Sequence, residues 1–300
     1  MRRVGRTKTL SVAVLLAAAC SGESPPVAEQ EPVQDAGQAH EDDDNGTADE
    51  VDEAAAVDDE PDETVPDVGN DEPRDDEQMD AQQVARAYFE AFATQRPATM
   101  AEMVDLSADG SVAQRYAQVQ IAQREATSQQ GFTTEPARLT STDTGFELCA
   151  QDGVGGQACS DFDDLTVADG LLVSFVIDNT DLTARLADMD SVAEDGRVTV
   201  TLIGAYHSVQ ADELTVVFDI VNDGDQTANI DLFSAEYVNA DGRQISVLDY
   251  VGPTDLRAGA SATAAVFFDA QSVGGVVYVG GAGEDFRDTY EWQINLGPPN

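Results

Sequence analysis

Apolar residues are spaced differently in successive stretches of this chain, and each spacing predicts a different element. From about residue 80 to residue 130 they recur every three or four positions. Val84, Tyr88, Ala91 and Phe92, broadened by Ala85 and Phe89, make one helical stripe. Pro97 ends or resets that helix, and a short second helix is predicted over residues 98–106. Asp109-Gly110-Ser111 then gives a turn and an N-cap to a third helix lined by Val112, Tyr116 and Val119. Beyond Gly131 the pattern becomes strand-like, with runs at 137–142, 145–150, 158–162 and 171–178. From Arg197 onward, strands are predicted at 198–203, 214–220, 230–238, 244–248, 260–268, 276–279 and 290–296. Turn sequences such as Asn222-Asp223-Gly224-Asp225 separate them.

Helices followed by antiparallel strands predict an α+β unit over residues 80–190. Seven short strands predict an all-β sandwich over 196–300, with Asp190, Glu194 and Asp195 breaking the apolar pattern between the two. The first unit resembles the cone-shaped NTF2-like fold. The likeness rests on the opening helix with Tyr88 and Phe89, and on the run from Asp161-Phe162 through Gly170 to Ser174-Phe175. Similar runs occur in actinobacterial lipoproteins. Enzymes on that fold commonly use Asp and His in the cone. The segment has no histidine, so the resemblance implies a fold and not a catalyst. Tyr88, Phe92 and Tyr116 are the candidates to line a pocket in such a cone, with ordinary core packing as the alternative. The second unit is similar to Ig-like domains of bacterial surface lipoproteins. It shares their cadence at Val221-Asn222-Asp223-Gly224-Asp225, at Asn239-Ala240-Asp241-Gly242, and at Leu256-Arg257-Ala258-Gly259 before Val266-Phe267-Phe268-Asp269. Some members of that group bind proteins or mediate assembly. The shared residues are turn and core residues, and they imply no active site.

The start of the chain has a third pattern. Arg2, Arg3, Arg6 and Lys8 precede an uncharged apolar run from Leu10 to Ala19, which is followed directly by Cys20. Such a run is too short to span a bilayer, which takes roughly 20 residues, but it has the length of a signal-peptide core. The segment resembles the lipobox of bacterial lipoproteins, with Ala17 where that family usually has Leu, Val or Ile and with Leu16 one step earlier. The resemblance implies a signal peptide over 1–19 and a lipid on Cys20. That lipid would hold the chain to the extracytoplasmic face of the cell membrane.

Composition then separates residues 20–79 from the rest. From Glu23 to Asp80 there is no aromatic residue and Arg74 is the only basic one, while Asp and Glu dominate. Such a stretch buries too little apolar area to offset its ordering entropy, so it is expected to be a disordered acidic tether. A neutral coil of that length would span about 40–45 Å, and self-repulsion extends it. The net charge of −43 argues against nucleic acid as a partner, because phosphates are held by Lys and Arg. It also opposes adsorption to anionic lipid, leaving the acyl chain as the anchor.

Cys149 and Cys159 flank a glycine-rich turn, and outside the cell a disulfide is their expected state. Pairing them sets an antiparallel register with Phe146 opposite Phe162, and with Glu147 facing Asp161. Neither thiol has a basic neighbour in sequence to lower its pKa, which weighs against a redox-active pair. The two histidines are His40 in the tether and His207 at a strand end, so no Ser-His-Asp or Cys-His set assembles and no zinc site is indicated. Asp161, Asp163 and Asp164, and likewise Asn222, Asp223 and Asp225, could contact calcium, but neither group has EF-hand order. Phosphate-binding loops and dinucleotide fingerprints are missing, and no cofactor is expected. The expectation is a non-enzymatic binding or scaffold lipoprotein, with an envelope protein or polymer as partner. The alternative is a small-molecule carrier or sensor using a pocket in the first unit.

Overall fold

The stripe at Val84, Ala85, Tyr88, Phe89 and Phe92 folds as helix α1, Ala81–Ala93, with all five side chains buried. The computed structural model describes residues 81–151, 156–187 and 191–297. The signal segment, Cys20, the tether with His40, and residues 152–155 of the turn between the cysteines lie outside the described residues. Pro97 occupies the first turn of α2, Pro97–Met100, where its missing N–H leaves no broken hydrogen bond. Helix α3, Glu102–Asp105, follows, so the single helix expected over 98–106 is two one-turn pieces. Ser111 caps α4, Val112–Gln129, its Oγ accepting from the Gln114 N–H at 3.1 Å.

Strands β1 (Arg138–Ser141), β2 (Phe146–Gln151), β3 (Gln157–Ala168), β4 (Leu171–Ile177) and β5 (Thr180–Asp181) form an antiparallel meander in that order. The β2–β3 register puts Cys149 opposite Cys159 and Phe146 opposite Phe162. A second sheet contains β6 (Val192–Asp195), β7 (Val198–His207), β8 (Leu214–Asn222), β9 (Ala228–Asn239) and β10 (Gln244–Val251). It continues with β11 (Asp255–Leu256), β12 (Ser261–Phe268), β13 (Gly275–Gly283) and β14 (Thr289–Asn295). Its order is β14-β13-β9-β10-β12-β8-β7-β6, with β11 beside β9. The two ends of this sheet curl toward each other. Trp292 Nε1 of β14 donates to Val198 O at 3.2 Å, and Glu291 N donates to Asp195 Oδ2 at 2.9 Å.

This architecture corrects the expected fold class. The protein is mostly β, roughly half strand and a fifth helix, and is not an NTF2-like cone followed by an Ig-like sandwich. The inner face of the five-stranded meander is mostly filled by side chains. Phe146, Phe162 and Phe175 fill its inner face against Tyr88 and Phe89, with ring centroids 4.7–5.9 Å apart. The seven later strands exist, but hydrogen bonding joins them into one nine-stranded, nearly closed, barrel-like sheet. β10 pairs with β9 on one side and with β12 on the other, so two separate facing sheets never form.

Burial explains why the expectation of a free-standing sandwich fails. Leu214 to Phe218 and Ala264 to Phe268 are buried without a break, so both faces of β8 and β12 are covered. One face packs inside the curled sheet, with Phe218, Val266, Phe268 and Trp292. The other face, with Tyr206, Val217, Ala265 and Phe267, joins the core of the helices and the meander. Helix α4 packs on β7, β8 and β12 as well as on β4. Its buried alanines, Ala113, Ala117, Ala122 and Ala126, permit that close approach.

Candidate functional site

Three residues of α4 stand four apart on one stripe: Tyr116, Gln120 and Arg124. All three are buried, and all three line a pocket of about 60 Å³ that is partly open to solvent. Phe92 and Gln95 contribute from the end of α1. Leu148, Ser160, Phe162 and Ile177 come from the meander, and Tyr206, Ser208, Val209 and Gln210 from the end of β7 and its turn. The pocket therefore lies where the helices, the meander and the large sheet meet.

Gln95 holds the guanidinium in place. Its Oε1 accepts from Arg124 Nη2, and its Nε2 donates to Phe92 O at 2.8 Å. The residue sits just past the C-terminus of α1 with φ 56°, the left-handed region that glycine usually occupies at helix ends. Burial lowers the Arg124 pKa to about 9, so the guanidinium remains charged at neutral pH. Burial raises the phenols of Tyr116 and Tyr206, the latter to about 12, so both are neutral hydroxyls.

The mouth is tied down by Gln210, whose Nε2 donates to Ser160 Oγ, to Cys159 O at 3.1 Å and to Asp178 Oδ2 at 3.2 Å. Ser208 Oγ accepts from the N–H groups of Gln210 and Ala211, and Tyr206 Oη accepts from Val209 N. Gln120 Oε1 is buried with no hydrogen-bond partner.

The residues singled out from sequence are distributed as follows. Phe92 and Tyr116 form pocket wall, their rings edge-to-face at 5.8 Å. Tyr88 is core, with no exposure and its hydroxyl donating to Ala113 O at 2.8 Å. Cys149 and Cys159 are joined by a disulfide. Glu147 stands near the two sulfurs, but bonded sulfurs offer no thiolate to a metal. His207 is buried, with Nδ1 3.0 Å from Arg185 Nη1 and Nε2 3.9 Å from Asp212. Burial and the Arg185 charge lower its pKa, so it is a neutral imidazole clamped at a strand end and is not among the pocket-lining residues. Asn222 is spent on its own turn. Its Nδ2 donates to the carbonyls of Gln226 and Leu256, and its Oδ1 accepts from Gly224 N.

A second feature lies on the outside of the large sheet. Phe233 and Leu248 are exposed, at 75% and 63%, and sit on β-bulges in β9 and β10. A bulge re-aims the side chain it carries, and here both side chains line one shallow groove.

Gln95, Gln120, Arg124, Ser160, Tyr206, Ser208 and Gln210 were not singled out from sequence. The three-residue stripe on α4 was readable, because Gln120 and Arg124 follow Tyr116 at the spacing that marks the apolar face. The others reach the pocket through the docking of the two sheets, which no local pattern encodes. Among the described residues, no helix is long and apolar enough to cross a membrane. No protein-family model and no curated protein sequence matches the chain.

Proposed function

We propose that this chain is an extracytoplasmic lipoprotein whose folded part binds a small molecule in the pocket between α1, α4, the meander and the β7–β8 turn. The anchor half of the reading is supported by the residues before Cys20 and by the acidic stretch after it. The binding half is supported by one observation above all. In an interior otherwise filled by aromatic rings, a small space is left whose walls mix rings with polar groups, among them the unpartnered Gln120 oxygen. Buried polar atoms are nearly always hydrogen-bonded, so such an oxygen calls for a ligand or an ordered water. Mixed apolar walls with a few convergent polar groups are the usual make-up of a ligand site.

Ligand-observed NMR on the full chain tests this with acetate, acetamide, ethanol and imidazole as probes. At least one probe should show saturation transfer, and the signal should be lost in Ser208→Phe, which fills the pocket from its rim. No transfer from any probe, or transfer indifferent to Ser208→Phe, would contradict the reading. The bulged pair Phe233 and Leu248 favours a second reading, docking of an envelope protein on the outer sheet. In that case Phe233→Ser should abolish capture of the partner while leaving probe binding intact.

A further inference from the structure

Building on the docking reading of the outer sheet, we infer that its occupant is a protein segment with an apolar centre flanked by Arg or Lys. The two strands that wall the groove part at this point. β9 and β10 pair from Val238–Gln244 to Glu236–Ser246 and no further. β10 goes on beside β12, while β9 next meets β11 at Asn229 and Ala228. Over 231–235 of β9 and 247–251 of β10, no strand pairing crosses between the facing edges among the described residues.

Extra residues fall at this opening in both strands. Between the pairs Tyr278–Glu236 and Gly280–Asp231, β9 advances five residues and β13 two. Leu232 and Ala235 turn inward and are buried, while Phe233 and Ser234 are left outside. Between Val247–Phe268 and Asp249–Phe267, β10 advances two residues against one of β12, and the extra residue is Leu248. Phe233 is the most exposed large apolar side chain among the described residues, and it shares this groove with Leu248. Single exposed apolar residues are ordinary, but two carried on bulges into one groove make a contact surface.

The charges around the pair select the occupant. Among the described residues of the wall, Glu236 and Asp249 are the charged ones, and no Arg or Lys lines it. Two N–H groups of the lining are already taken by carboxylates. Ser234 N donates to Asp231 Oδ1 at 3.1 Å, and Tyr250 N to Asp249 Oδ1 at 2.8 Å. An added β-strand draws on such N–H groups, so the occupant is held by its side chains. The rim meets those side chains with the carboxylates of Asp231, Glu236 and Asp249. An ionised carboxylate only accepts, so the matching group is a cationic donor. Self-repulsion disfavours a second copy of a chain with a net charge of −43.

Short acetylated peptides with a Leu-Leu centre flanked by Arg, by Ser or by Glu test this, titrated against the full chain by fluorescence anisotropy. The Arg peptide should saturate and bind several-fold more tightly than the Ser peptide, and the Glu peptide should not bind. Phe233→Ser, which removes no charge, should weaken the Arg peptide about tenfold, the worth of burying part of one aromatic side chain. Leu248→Ser should act alike, and Glu236→Gln should shrink the lead of the Arg peptide over the Ser peptide. An Arg peptide caught by the acidic tether would be indifferent to Phe233→Ser. If the Ser peptide binds as tightly as the Arg peptide and both depend on Phe233, the basic-partner inference fails while the docking reading stands. If no peptide depends on Phe233, both fail. If Phe233→Ser instead breaks a dimer of the chain in sedimentation, or releases the chain from phosphatidylcholine vesicles, the occupant is a second copy or a lipid surface and the inference is overturned.

Discussion

Gln95 occupies a position where a helix end normally takes glycine, and an L side chain in that conformation costs about 1–2 kcal/mol. The strain is held by two hydrogen bonds of its amide, one of which fixes a buried guanidinium. Strained residues of this kind cluster at binding sites, which agrees with its place in the pocket wall. Glu213, next to Leu214 at the start of β8, gives a separate test. Burial, reinforced by the charge of Asp249, pushes its carboxyl up to about 7 from an ordinary 4.5. The folded state therefore binds more protons than the unfolded chain between pH 4.5 and 7, and stability should fall as pH rises through that window. Glu213→Gln should stabilise the protein at pH 8 by on the order of 2 kcal/mol, after allowance for partial exposure, and change little at pH 4. Denaturation midpoints at the two pH values would measure it, and equal gains at both would contradict this origin.

Local elements were largely legible in the sequence, and their assembly was not. The stripe through Val84, Tyr88 and Phe92 coincides with α1, the Ser111 cap opens α4, and seven strand runs from 198 to 296 fall on β7–β10 and β12–β14. Strand alternation says nothing, however, about whether β10 joins β9 to β12 or ends one of two sheets. The clue lay in the runs 214–218, apolar but for Thr215, and 264–268, apolar throughout, which mark strands covered on both faces. β6 and β11 were missed, being only four and two residues long. Gly145 shows how tightly the meander closes beside the pocket. A Cβ added there would lie 1.9 Å from Phe162 O, a backbone atom that cannot rotate away. Gly145→Ala should therefore pry β2 from β3, cost on the order of 3 kcal/mol, and loosen Phe162 in the pocket wall. Thermal unfolding checks it, and a shift below about 2 °C would mean that the edge yields freely.

At the scale of the whole molecule, one core runs from α1 through the meander to the outer face of β7, β8 and β12, and the pocket is the place where that packing is incomplete. Among the described residues of its wall the pocket carries one guanidinium, that of Arg124, which Gln95 holds. The proposed anchor predicts that the mature chain begins at Cys20 and carries acyl mass there. An unmodified N-terminal peptide in mass spectrometry would contradict it. The central claim is that the pocket takes a small-molecule ligand. It is tested most directly by crystal structures of the full chain grown with and without whichever of the four probes shows saturation transfer. The prediction is the probe seated against Phe92 and Tyr116, within hydrogen-bond distance of the Gln120 side chain, in the first crystal and water in its place in the second. Finding water alone in both, or side chains closing the space, would contradict it.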